Sequence, residues 1–377
     1  MAELDTVSLA DLCESIVDCE HKTAPTDEFG QFYAVGTPAM QGNTIDYGQA
    51  RRISEATFYA WTKRLRPRFG DLLLAREAPV GPVVRIPLRE NVAPGQRTVL
   101  LRPRTQRVDP TFLYYLLSCG PVQARMHSMA EGSTVPHLNV ADVRALELPT
   151  PPSLDEQRAI AEVLGALDDK IAANSRASST AWQLAAARYR RVVDQGARPG
   201  ELGEVVRLRY GKALPLGRRR QGDVRVYGSG GQVGLHDAPL VGHAGPVVGR
   251  KGTAGAVHWA PGPHFPIDTT FYSEPVDSRY SAMFCYYTLL SAKLTSLNSD
   301  SAVPGLNKGD AERAPIRIPD FSAVEEFTKD VEPLAMLAVA CDRENTFLAA
   351  TRDALLPALM SGAIRVKDAE RLAEDLT

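Results

Sequence analysis

The chain contains no C-x-x-C pair. Its five cysteines, Cys13, Cys19, Cys119, Cys285 and Cys341, are scattered and odd in number. That argues against a disulfide framework and a zinc site, and predicts buried free thiols. No H-x-x-x-H pair shares a helix face: His236, His243, His258 and His264 fall 7, 15 and 6 residues apart, which predicts ordinary polar histidines and no metal. No apolar run approaches the ~20 residues of a bilayer span, and no charged-then-apolar leader opens the sequence, so a cytoplasmic protein without membrane attachment is expected. Residues 228–234, "GSGGQVG", lack the G-K-[ST] ending of a phosphate loop, and no helical pattern follows them. They read as a glycine-rich turn that lets backbone approach a ligand or DNA. Residues 109–112, "DPTF", lack the second proline of the [ND]-P-P-[YFW] signature of amino-group methyl transfer and run straight into "LYYLL". Asp-Pro opening a helix is the plain reading. No spacing of Ser, His and carboxylates nominates a triad. A chain with no catalytic residues, no cofactor of its own and no metal is expected.

What is present is size, unevenly placed charge and repetition. A length of 377 residues exceeds one ordinary core, and 44% apolar with 23% charged residues is the balance of a globular protein. The net charge of -2 hides two basic regions. Residues 51–107 hold 13 Lys/Arg against 4 Asp/Glu, and residues 205–260 hold 9 against 2. One basic region per half is the electrostatic footprint that phosphate backbones select.

The halves echo each other. "STVPHLNVADVRALELP" (133–149) returns as "SAVPGLNKGDAERAPIRIP" (301–319), with the frame S-x-V-P-x-L-N-x-x-D displaced by 168 residues. Upstream, "FLYYLLS" (112–118) matches "FCYYTLL" (284–290), and "REAPVG" (76–81) matches "RKGTAG" (250–255), each after a short aliphatic run. The offset drifts only between 174 and 168 residues, as two copies of one fold with small loop insertions would give. Each copy predicts short strands and turns, then an aromatic-rich helix, then the V-P-x-L-N loop, then a long helical stretch. Asn139, Asp142, Asn307 and Asp310 are expected to cap and turn backbone locally.

The two long stretches carry apolar or small residues at alternating spacings of four and three. In the first these are Ile160, Leu164, Leu167, Ile171, Ala181, Ala185 and Val192; in the second, Phe327, Val331, Leu334, Ala338, Cys341, Leu348, Leu355 and Leu359. This is a heptad seam, with Asn174 and Asn345 as matching polar positions that fix register. Pro333 is expected to mark a first-turn break and Pro357 a kink before Gly362 ends the helix. Neither stretch is uniformly apolar enough for a core helix, so two rods pairing on each other are expected.

The succession "GSTVPHLNVADVRALELPTPPSLDEQRAIAEVL", the closing "LLPALMSGAIRV" and the order "VYGSGGQVG", "VVGRKGTAG", "PIDTTF" resemble the specificity (S) subunits of type I restriction-modification systems over nearly the whole chain. The second copy departs in having Gly305 where the first has His137, and "FSAVEEF" where the L-P-x-E-Q type of helix start is usual. The resemblance implies an α+β chain of two pseudo-symmetric mixed α/β target-recognition domains. Each is followed by a long helix, and the two helices pair as an antiparallel coiled-coil spacer. The expected limits are 1–152 for the first recognition domain, 153–197 for the first helix, 198–320 for the second domain, 321–366 for the second helix and 367–377 for a C-terminal tail. It further implies a non-catalytic subunit that reads a bipartite double-stranded DNA site and docks two adenine methyltransferase (M) subunits, which bring S-adenosylmethionine. A restriction (R) subunit joins through them.

On this reading the candidate DNA contacts are Arg51, Arg52, Lys63, Arg64, Arg66, Arg68 and Arg76 in the first domain. Those of the second are Arg207, Arg209, Lys212, Arg218, Arg219, Arg220, Arg250 and Lys251. The candidate seam is Ile160, Leu164, Leu167, Ile171 and Asn174 against Leu334, Cys341, Asn345, Leu348 and Leu355. Two other readings remain open on sequence: a specificity-like subunit of a defence system that does not methylate, and a coiled-coil scaffold for protein partners.

Overall fold

The structure is a computed structural model that describes residues 5–132, 135–297 and 305–374. The serines that open the repeated frame, Ser133 and Ser301, lie outside the described residues, as do Val303 and Pro304. The chain divides into two compact units, residues 1–171 with 346–377, and residues 172–345.

In the first unit, a four-stranded antiparallel sheet runs in the order Cys13–Asp18, Thr98–Pro103, Leu72–Arg76, Val80–Arg85. Leu72–Arg76 is buried along its whole length because both faces are covered. Leu72 and Leu74 face one core with Phe112 and Tyr115, while Leu73 and Ala75 face a second with Val35 and Ile86. A strand covered on both sides reads as a continuous apolar run, as "LLLA" does. A second sheet has Phe32–Val35 between Arg51–Ile53, antiparallel, and Val92–Pro94, parallel. Thr6–Ser8 pairs with Glu147–Pro149.

The second unit repeats this layout strand for strand. Its four-stranded sheet runs Val206–Tyr210, Thr270–Pro275, Gly245–Gly249, Val257–Ala260. Its three-stranded sheet has Val224–Gly228 between Gly231–His236, antiparallel, and His264–Pro266, parallel. Arg198–Glu201 pairs with Pro315–Ile318. Strand order and pairing sense agree in all three sheets, so the sequence echo is a duplication of fold. A helix in the first unit, Glu55–Trp61, has no helical counterpart between the matching strands of the second.

The recurring motifs do the same work in both units. Asp109 caps the helix Pro110–Ser118, its Oδ1 accepting from the Thr111 and Phe112 N–H groups; Ser281 caps Ala282–Ser291. The Leu138 N–H donates to the Arg76 carbonyl at 2.8 Å, and the Leu306 N–H to the Arg250 carbonyl at 2.9 Å. Both leucines are buried, so L-N in V-P-x-L-N pins the loop to the strand end and inserts an anchor into the core. Asn139 and Asn307 then stand at the N-caps of the short helices Val140–Ala145 and Lys308–Glu312. Asn307 Oδ1 accepts from Gly309 and Asp310 N–H, and Asp142 accepts from the Asn139 N–H. Asn139, Asp142 and Asn307 are local backbone caps, as their types favour, whereas the Asp310 carboxylate, expected to do the same, accepts from the Arg313 guanidinium at 2.6 Å instead.

The long helices are Leu154–Asp194 and Phe321–Met360. In the first unit Asp168 bonds Arg352 at 2.7 Å. In the second, Asn174 bonds Glu344 at 2.7 Å, Asn345 bonds Ser175 at 3.0 Å and Arg188 meets Asp330 at 3.5 Å. From Asn174 to Arg188 the partner falls from Glu344 to Asp330, so the pairing is antiparallel. Two expectations need correction. Pro333 starts nothing: the second helix begins twelve residues earlier, at Phe321, and runs through it. Past Pro357 the helix continues to Met360, and Gly362, with φ +70°, then supplies the left-handed residue that ends it, as expected. Of the residues expected as a C-terminal tail, 367–377, those described belong to a helix, Val366–Glu374, with Ala369 buried in the first unit's core.

Nor are the long helices free rods. Ile160, Leu164 and Leu167 share a core with Leu138 and Phe112, and Tyr189, Phe327 and Val331 share one with Phe271 and Phe284. The paired tyrosines explain why. Tyr115 donates its hydroxyl to Asp168 at 2.6 Å, and Tyr287 donates to the Trp182 carbonyl at 3.1 Å. Each aromatic helix therefore packs an otherwise unsatisfied face on a long helix. Each fully buried Leu or Phe there contributes ~1.5–3 kcal/mol.

Candidate nucleic-acid interface

The candidate cations are not equivalent. In the first unit, Arg51 and Arg52 are the exposed residues of the strand Arg51–Ile53. Arg52 donates to the Glu28 carbonyl at 2.9 Å and sits over Tyr33, while Arg51 makes no side-chain hydrogen bond or ion pair among the described residues and borders a hollow with Gln49, Gln96 and Arg97. Lys63, Arg64, Arg66 and Arg68 are exposed on the segment that joins Glu55–Trp61 to Leu72–Arg76. Lys63 and Arg64 share Glu20, at 3.4 and 3.8 Å, Arg66 lies 5.0 Å from the Tyr59 ring centre, and Arg68 is 3.6 Å from Glu14. Such exposed pairs are weak and open to exchange for phosphate. Arg76 differs. It is 8% exposed, with Nε 3.3 Å from Asp18 and Nη1 donating to the Leu138 carbonyl. It is part of the loop anchor, not an accessible DNA contact.

In the second unit Arg207, Lys212, Arg218 and Lys251 are exposed, with no side-chain hydrogen bond or ion pair among the described residues. Arg209 is bound to Glu274 at 2.8 Å and Arg220 to Asp237 at 2.6 and 3.2 Å. The hydrogen bond from Arg220 holds the Asp237 carboxyl below the usual carboxylate range, so that pair is locally neutral. Arg219 donates to the Val233 carbonyl beside Gly234, where a side chain would collide with the guanidinium. Arg250 lies over Tyr210, 5.4 Å from the ring centre, and bonds the Asp268 carbonyl.

The sequence reading missed Gln49, Gln96 and Arg97 around the first hollow, and Asp268, which takes the place of Gln96 in the second unit. Only charge surplus was available as a signal, and it passes over glutamine and aspartate. The candidate seam residues come together within the units. Ile160, Leu164, Leu167, Leu348 and Leu355 are buried in one core with Ile171 packed on it, Asn174 and Cys341 are buried, and Leu334 and Asn345 are half-buried. The five cysteines are free and buried. No described helix is long and apolar enough to cross a membrane.

The family model for the type I restriction modification DNA specificity domain matches residues 1–179. Residues 1–179 are a type I specificity domain. The type I restriction enzyme MjaIX specificity subunit of Methanocaldococcus jannaschii is 22% identical over 364 residues, covering 84% of this chain and 83% of that protein. The putative type I restriction enzyme MjaX specificity subunit of the same organism is 31% identical over 101 residues, 27% of this chain and 23% of its own. Among solved structures, the type I restriction-modification S subunit from M. genitalium superposes with a TM-score of 0.67 at 19% identity, covering 95% of this chain and 97% of that one. The chain thus has the fold of a type I specificity subunit along its length, and the second unit, strand for strand, is a second copy of the specificity-domain fold.

Proposed function

We propose that the chain is a DNA-specificity subunit that reads a two-part duplex site, one half with each unit. It places on that site two adenine methyltransferase subunits, which carry S-adenosylmethionine; a restriction subunit joins the assembly. The chain itself supplies recognition and assembly, without catalysis or a bound cofactor, and works in the cytoplasm. The observation that carries this reading is the strand-for-strand duplication of a specificity-domain fold, with accessible cations on both copies. A two-part target needs two readers, and one domain present twice offers two identical partners the same docking surface. Exposed Arg51, Lys63, Arg64, Arg66, Arg207, Lys212, Arg218 and Lys251 are the phosphate-binding candidates. Buried Arg76 is withdrawn from the set.

The test is methylation-aware sequencing of host DNA with and without the gene. Loss of adenine methylation from a two-part motif with a fixed gap supports the proposal and gives the target. If no motif changes, the methylating role falls, and DNA selection by the purified chain then separates a non-methylating specificity subunit from a protein scaffold.

A further inference from the structure

Three hydrogen bonds fix the turn 95–97 in the first unit. The Gly95 N–H donates to the Val35 carbonyl at 2.8 Å, the Thr98 hydroxyl to the Gly95 carbonyl at 2.8 Å, and the Arg76 N–H to the Arg97 carbonyl at 2.9 Å. The second unit makes the same three bonds around residues 267–269. The Ile267 N–H donates to the Tyr227 carbonyl at 2.9 Å, the Thr270 hydroxyl to the Ile267 carbonyl at 2.7 Å, and the Arg250 N–H to the Thr269 carbonyl at 2.8 Å. Thr98 and Thr270 are both fully buried. The turn's frame is therefore kept in both copies.

Its side chains are not kept. Gln96 and Arg97 in the first unit stand where Asp268 and Thr269 stand in the second, and Gln96, Arg97 and Asp268 are exposed. Across the hollow beside the first turn lie Gln49 and Arg51. Arg97 has φ +68°, a left-handed conformation that costs a residue with a Cβ ~1 kcal/mol or more and a glycine almost nothing. An arginine at that position gives the backbone no advantage, so its value lies in the side chain, whose Nε meets Glu77 at 3.2 Å in an exposed pair open to exchange for a nucleic-acid group. Gln and Arg are the side chains that pair bidentately with the major-groove edges of adenine and guanine, while Asp accepts from the cytosine amino group. A constant frame with exchanged reading groups suits two domains that read different half-sites.

We infer that the turn 95–97, with Gln49, contacts base edges for the first unit, and that the turn 267–269, through Asp268, does so for the second. The inference rests on the reading of each unit as a DNA-recognition unit. Arg250, whose guanidinium bonds the Asp268 carbonyl at 2.8 Å, is a positioning residue for the second turn.

The full chain, with whatever partner subunits copurify, is selected against a pool of randomised DNA duplexes, and the preferred motif is sequenced for wild type, Gln96→Ala, Arg97→Gly and Asp268→Ala. Gln96→Ala and Arg97→Gly should each relax one or two positions of one half-site by about 5- to 150-fold and leave the other half unchanged. Asp268→Ala should do the reverse. Arg97→Gly should not lower the melting temperature, which separates loss of reading from loss of fold. If all three variants select the wild-type motif, or weaken every position alike, the turns do not read bases and the inference is overturned while the recognition role stands. A wild-type chain that selects no motif removes the recognition role and this inference together.

Discussion

Arg76 and Arg250 occupy one place in the repeated frame and meet different partners there. Each offers its carbonyl to the leucine of the V-P-x-L-N loop. In the first unit the guanidinium is buried against Asp18; in the second the position matching Asp18 is Tyr210, and Arg250 lies over its ring. Their stability roles should therefore differ from those of the surface cations. Arg76→Ala leaves Asp18 short of its partner and should lower unfolding stability by about 3 kcal/mol, the scale for breaking a largely buried pair. Arg51→Ala should change it by less than ~0.5 kcal/mol, as surface substitutions do. Urea unfolding of both variants checks this, and equal effects would remove the distinction. The distinction was not legible in the sequence. Asp18 lies 58 positions from Arg76 and Leu138 62 positions from it, so a local count of charges scores Arg76 like any other arginine.

At the level of elements, periodicity served well where one face of a helix is buried and poorly where a proline intervenes. The four-three spacing locates both long helices, but it does not carry a helix through Pro333, where proline removes an N–H and crowds the preceding turn and so predicts a break. Tertiary packing overrides that preference. Val331 and Ala335 on either side of it are buried in the second unit's core, while Pro333 itself is exposed, so the ring costs little in contacts. Pro333→Ala should then stabilise the chain, by up to ~3 kcal/mol if the helix is otherwise unchanged, with the melting temperature as readout. A lower melting temperature would mean that the proline shapes the helix to fit its neighbours. The sheets show the complementary limit. The runs "LLLA" and "PVVG" mark buried strands, but the pairing order that makes the units copies of each other depends on partners far along the chain. Matching motifs in order announce the duplication, and register had to come from the structure.

At the level of the whole molecule, the interior is rich in tyrosine and thiol groups that ionise only with difficulty. Burial pushes Tyr114 up to about 12 and raises Tyr115, Tyr189 and Tyr287, with the Asp168 carboxylate adding to the effect at Tyr115; burial also pushes Cys13 and Cys285 up to about 12. In an unfolded chain a thiol titrates near 9.0 and a phenol near 10.0. Because the folded values lie above the unfolded ones, this contribution is fully present below pH 9 and is lost as pH rises through 9 and 10 toward the folded values. Stability should thus decline on the alkaline side, and phenolate absorbance from the buried tyrosines should appear together with loss of helical circular dichroism. Phenolate appearing well before unfolding would show that these rings are reached by solvent.

The same scale decides whether the two basic regions act on DNA as separate footprints. Each phosphate neutralised by a cation releases counterions, so the logarithm of affinity falls against the logarithm of salt with a slope of about -0.9 per contact on duplex DNA. Replacing Arg51, Lys63, Arg64 and Arg66 by alanine removes four exposed cations from the first unit; replacing Arg207, Lys212, Arg218 and Lys251 removes four from the second. If every one meets a phosphate, each quadruple variant should flatten the slope by about 3.6, from four contacts at that increment, and the combined variant by about twice as much. Affinity should fall for all sequences alike, with the motif preserved, because phosphate contacts position the protein without reading bases. A flattening confined to one quadruple would assign the footprint to one unit. An unchanged slope in all three variants would show that the exposed cations lie off the DNA, leaving recognition to the turns and to arginines already held in pairs.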